Sequence, residues 1–146
     1  MSRFSCLVLL LFSLAGCGGE NETILNASLA VPLDLIRFSP YEAALTLADP
    51  SGETILWGPT PLDWNEETEL WEADLSDMDK ADYLATVEII TTLFGAPLVL
   101  AEASDLLSLP KGTGYATLTF KPSDFDTSMD DDGDDISNLS ESVGSL

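Results

Sequence analysis

The chain has 146 residues, of which 26 are acidic and 5 basic; it has no histidine, and its formal net charge is −21. So acidic a surface repels phosphate backbones, which excludes nucleic acid as a partner. The missing histidine also removes Ser-His and Cys-His catalysis. The length suits one domain with tails.

Met1-Ser2-Arg3 supplies a short positive start, and Cys6 to Leu14 is an unbroken run dominated by apolar residues. That run is far shorter than the roughly 20 residues a membrane-spanning helix needs. Small residues Ala15 and Gly16 then expose the bond before Cys17 to a signal peptidase. Leu14-Ala15-Gly16-Cys17 resembles the lipobox of bacterial lipoproteins. The resemblance implies removal of residues 1–16, a diacylglycerol on the Cys17 thiol and an acyl chain on its freed amine. Buried chains contribute on the order of 0.8 kcal/mol per methylene, so they would hold the protein on a membrane. Gly18 stands where aspartate favours inner-membrane retention, which points to the outer membrane of a bacterial cell envelope. An ordinary secretory signal is the alternative. Anionic headgroups would repel the chain, so attachment must come from lipid and not from a basic patch. With Cys6 lost in the signal, Cys17 is the one cysteine left and no internal disulfide forms.

The expected organisation is a signal at 1–16, a lipidated cysteine and flexible tether at 17–26, a β-sandwich domain at 27–122 and an acidic tail at 123–146. Leu29, Val31, Leu33 and Leu35 share one face of a candidate edge strand marked by Pro32. Ala43, Leu45 and Leu47 alternate next. Asp49-Pro50-Ser51-Gly52 is a turn by composition, and Thr54 to Trp57 returns as a hairpin partner. The prolines of Gly58-Pro59-Thr60-Pro61 end that strand. Trp71, Ala73 and Leu75 form another alternating set, followed by an acidic turn from Ser76 to Asp82. Tyr83, Ala85, Val87 and Ile89 line one face of the clearest strand. Leu98 to Ala103 suits a short helix or a strand, which periodicity alone does not separate. Pro110 to Gly114 turns the chain into a last strand, Tyr115 to Phe120.

About seven strands at this spacing predict an all-β fold, a single small β-sandwich. Asp79-Lys80-Ala81-Asp82-Tyr83-Leu84-Ala85 resembles the tyrosine-corner run of immunoglobulin-like domains, with Ala85 where the disulfide cysteine would stand. The resemblance implies an immunoglobulin-like sandwich, although two more strands follow instead of one.

In the tail, residues 130–141 place oxygen-bearing side chains at positions 1, 3, 5, 9 and 12 of a twelve-residue loop. This spacing suits calcium, which takes six to eight oxygen ligands and a closing bidentate carboxylate. The run Asp130-Asp131-Asp132-Gly133-Asp134-Asp135-Ile136-Ser137-Asn138-Leu139-Ser140-Glu141 resembles the thrombospondin type 3-like calcium repeats of bacterial surface proteins. The resemblance implies direct ligation by Asp130, Asp132 and Asp134, a carbonyl from Ile136, Asn138 directly or through water, and Glu141 as the closing ligand. Asp135 occupies the position where glycine normally turns the loop, and no second repeat follows. A lone loop should bind weakly, on the order of 10⁻⁴–10⁻³ M. A solvated acidic tail is the plainer reading, since no basic residue lies between Asp124 and Glu141.

Trp57, Trp64 and Trp71 recur at a fixed interval. Trp57 and Trp71 belong to strand patterns and to the core; Trp64, beside several acids, is the one expected at the surface. The functional expectation is a non-catalytic, membrane-tethered binding or structural module of the envelope, with calcium as ligand and an envelope protein or glycan as partner. The alternatives are a carbohydrate-recognition module using Trp64 and, further off, a small hydrolase using paired carboxylates.

Overall fold

The computed structural model describes residues 22–36 and 41–144. Cys17 and the whole lipobox lie outside them. The described chain is an all-β sandwich of two four-stranded sheets. One sheet joins β1 (Thr23–Leu29), β4 (Asp63–Asn65), β5 (Leu70–Asp74) and β8 (Gly114–Phe120) in the order β4-β5-β1-β8. The other joins β2 (Glu42–Ala48), β3 (Ile55–Pro61), β6 (Asp82–Leu93) and β7 (Ala96–Ser108) in the order β3-β2-β6-β7.

Alternation makes the core. Tyr83, Ala85, Val87 and Ile89 of β6 point inward and are buried, as are Leu45 and Leu47 of β2. Leu25, Ala27, Ala116, Leu118 and Phe120 meet them from the facing sheet. Removing each large side chain from water contributes about 1.5–3 kcal/mol. With no disulfide among the described residues, this burial carries the fold.

The two strand orders match the C′-C-F-G and D-E-B-A sheets of an immunoglobulin-type sandwich, except that β8 takes the place of strand A and runs parallel to β1. Tyr83 Oη donates to the Asp79 carbonyl at 2.7 Å, the hydrogen bond that a tyrosine corner makes.

Four local expectations are corrected. The first strand begins at Thr23, inside the expected tether, because Thr23, Leu25 and Ala27 hold the buried phase. Its expected continuation through Leu35 is instead a helical turn, α1 (Leu33–Ile36), opened by a Leu35 N–H bond to the Pro32 carbonyl. β3 runs through Pro59 and Pro61, which an edge strand tolerates since one side of it needs no ladder donors. The eighth strand, one more than the seven expected, is β4, built around Trp64.

The open choice at Leu98–Ala103 resolves as strand: β6 and β7 form one long hairpin closed by Phe94-Gly95. Both turn residues have positive φ, 51° and 81°, as a two-residue type I′ turn requires.

Register also fixes two poles. Thr23 lies with Ser76, Lys80 and the start of β6, through Thr23 N–H to Ser76 Oγ and Lys80 Nζ to Thr23 Oγ1. The Phe94 turn is at the far end of β6. The chain therefore enters the domain at one pole and presents the hairpin tip at the other.

Candidate metal centre on the β7 edge

β7 is the outer strand of its sheet, and the C-terminal segment covers part of its free edge. Asp126 and Glu102 exchange two backbone hydrogen bonds, at 2.8 and 3.0 Å. Further on, Asn138 is fully buried; its Nδ2 donates to the Val99 carbonyl at 2.8 Å and its Oδ1 accepts from Asp131 N–H at 3.0 Å. Asn138 N–H closes the base of the loop on the Met129 carbonyl.

Between these attachments the chain folds on its own carboxylates. Asp130 accepts from the N–H groups of Gly133 and Asp135, at 2.8 and 2.9 Å. Asp132 accepts from Asp134 N–H, and Asp134 from Ile136 N–H. Gly133 and Asp135 take positive φ, 73° and 67°. Aspartate at the sixth position thus adopts the left-handed turn that glycine makes with less strain. A short helix, α2 (Asn138–Gly144), follows; Ser137 caps it, its Oγ accepting from Ser140 N–H.

Asp130, Asp132 and Asp134 each offer a carboxylate oxygen, and these lie within 4.8 Å of one another. An ion with bonds of roughly 2.4 Å spans such a set. The triad can therefore hold a metal ion.

The electrostatics show the cost of the arrangement. Desolvation pushes the Asp130 carboxyl up, yet hydrogen bonds from Gly133, Asp135, Asp132 and Asp134 together hold it below its ordinary value. At Asp132 the Asp134 N–H pulls down, but desolvation and the charges of Asp134 and Asp130 prevail and raise it. Glu141 is raised first by desolvation, then by the charges of Asp132, Asp134, Asp130 and Asp131, so it lies in the field of the triad. A cation held among these carboxylates would relieve their repulsion.

Of the expected ligands, the triad converges and Glu141 faces its charge. Ile136 follows the triad with its side chain half-exposed. Asn138 is fully buried, its amide bonded to the Val99 carbonyl and to Asp131 N–H, so it ties the loop to β7. Sequence reasoning missed this anchor, although the Ser137 cap after an acidic loop is a readable helix start. It also missed Glu88 and Glu102, paired across β6 and β7. Burial raises the Glu88 carboxyl, with the charges of Glu102 and Asp131 adding.

Trp64, expected at the surface, is 49% exposed and meets Trp71 edge-on at 5.3 Å between ring centroids. Tyr41 stacks on Trp71 from the other strand group, at 6.3 Å. Trp57 and Trp71 are half-buried against the core, as their strand patterns implied.

Comparison with protein-family models, with curated proteins and with solved structures returned no match.

Proposed function

We propose that the protein is a non-catalytic module of the bacterial cell envelope. Acyl chains on Cys17 hold it on a membrane, the outer one favoured, and its C-terminal loop binds calcium weakly. The observation that carries the calcium reading is the convergence of Asp130, Asp132 and Asp134 in a loop pinned to β7. Oxygen-only donors at this spacing suit a hard cation with many ligands, and the lack of nitrogen or sulfur donors disfavours zinc. In this reading Asp130, Asp132 and Asp134 ligate directly, Ile136 gives its carbonyl, Asn138 acts directly or through water while tying the loop to β7, and Glu141 closes the site. Titration with calcium in the millimolar range, followed by calorimetry or terbium luminescence, should give saturable binding that weakens in Glu141→Gln. Absence of heat and emission would retire the site. The anchor rests on the lipobox resemblance, and mass spectrometry of the cell-derived protein tests it: the chain should begin at Cys17 and carry fatty acids.

A carbohydrate-recognition reading is supported by the half-exposed Trp64 and the aromatic group behind it. Glycan binding lost in Trp64→Ala, with the fold intact, would favour it over the plain structural module.

A further inference from the structure

We infer that the tip of the β6–β7 hairpin is a second, independent contact with lipid, which seats Phe94 in the interfacial layer of a bilayer. Phe94 is 90% exposed, the most exposed of the large apolar side chains among the described residues. It also holds φ at 51°, a left-handed conformation that strains a bulky side chain and that asparagine or glycine would adopt more readily. Both the turn and solubility would favour Asn-Gly here. Among the described residues, an aromatic side chain at this place serves neither the hairpin nor the core, which directs its use elsewhere.

The surroundings identify the occupant. Between Glu88 and Glu102 no residue is charged, in a chain with 26 acids. Leu93, Ala96 and Pro97 flank Phe94, and only the Thr91 and Thr92 hydroxyls offer side-chain hydrogen bonds. A protein pocket selects its ligand by directed polar groups at a rim, whereas a bilayer interface demands only that charge be absent and apolar surface present. Among the described residues, β6 beyond Ile90 pairs with β7 alone, through Thr91↔Leu98, Thr92↔Pro97 and Leu93↔Ala96. The last acid in the ladder is Glu42, opposite Ile90 and three rungs below Leu93. That is about 10 Å at strand spacing, beyond the screening length of about 8 Å at physiological salt. The acidic loop is tied to β7 at Val99, on the rung of Ile90, so the three rungs beyond it and the turn are the uncharged part of the described ladder that can meet a headgroup surface.

The contact does not depend on acylation, because the tip stands at the pole opposite Thr23. If both ends met one bilayer, the long axis of β6 would lie along the surface.

The test uses the chain from residue 17 onward with Cys17→Ser, which keeps every described residue and no acyl chain. It is sedimented with vesicles of dioleoylphosphatidylcholine, and the bound fraction is compared with that of Phe94→Asn, a residue suited to the left-handed turn. Binding at millimolar lipid should fall about tenfold in the variant, as expected for one buried aromatic side chain. Circular dichroism and the melting transition should show an intact fold. No binding by the parent chain, or equal binding by the two, overturns the inference. A change of oligomeric state in Phe94→Asn without a change in lipid binding overturns it too, and assigns the tip to a second copy of the chain.

Discussion

The sandwich and the loop along its β7 edge are built by opposite means. In the sandwich, alternating apolar side chains vanish into a shared interior and polar groups face out. In the loop, carboxylates turn inward on their own backbone, and Asn138 is the one fully buried side chain holding it down. The first needs nothing beyond its own sequence. The second gathers like charges in a triad that could hold a metal ion. Stability and binding should therefore respond separately in the two regions.

The largest effect belongs to the sandwich. Leu45→Ala removes a fully buried side chain between the sheets and should cost about 2–5 kcal/mol in chemical denaturation, with terbium binding unchanged in the surviving folded fraction. Asn138→Ala should do the reverse. It leaves the Val99 carbonyl and Asp131 N–H without their partner and loosens the loop by about 1–3 kcal/mol. Hydrogen exchange should quicken across residues 126–144 while the main unfolding transition stays in place. Third, calcium at ten times its dissociation constant should add about 1.4 kcal/mol to the loop and slow exchange there about tenfold. A rise of similar size in an Asp132→Asn, Asp134→Asn chain would break the assignment.

A smaller effect lies where the regions meet. The Glu88 carboxyl is raised, first by burial and then by Glu102 and Asp131. A raised acid favours the fold while protonated, and that contribution is lost as pH climbs through its folded value, leaving repulsion at neutral pH. Glu88→Gln should therefore stabilise at pH 7 by roughly 0.2–1 kcal/mol, the range for like charges facing across a ladder. The gain should vanish in acid. The smallest effect is at the Asp49 turn, where Thr54 N–H and the Ser51 hydroxyl hold the carboxyl below its ordinary value. Its contribution is present above the unfolded value and lost as pH falls through the folded one. Asp49→Asn should flatten the acid limb of the stability profile.

The two regions were also unequally legible in the sequence. Period-two patterns gave β2, β5, β6 and β8 because each hides one face and wets the other. The spacing of Asp130, Asp132 and Asp134 gave the triad because ligand geometry is local. What escaped depends on tertiary placement. β4 is too short to show a period, and β3 carries prolines that an edge position alone excuses. The turn at Phe94-Gly95 lacks the Asn-Gly signal because its aromatic residue contradicts turn chemistry. Asn138 stands at a ligand position by spacing, and its hold on β7 shows only in the folded chain.

The parallel pairing of β1 with β8 sets the order in which the molecule can be finished. Thr23 has its ladder neighbour at Gly114, so the first strand waits for almost the whole chain before its sheet is closed. Contacts so remote in sequence slow folding, because closing such long loops costs entropy before any contact rewards it. A chain threaded through a membrane pore from its N-terminus would emerge with β1 still half-paired. It would stay easy to thread until the end of its passage.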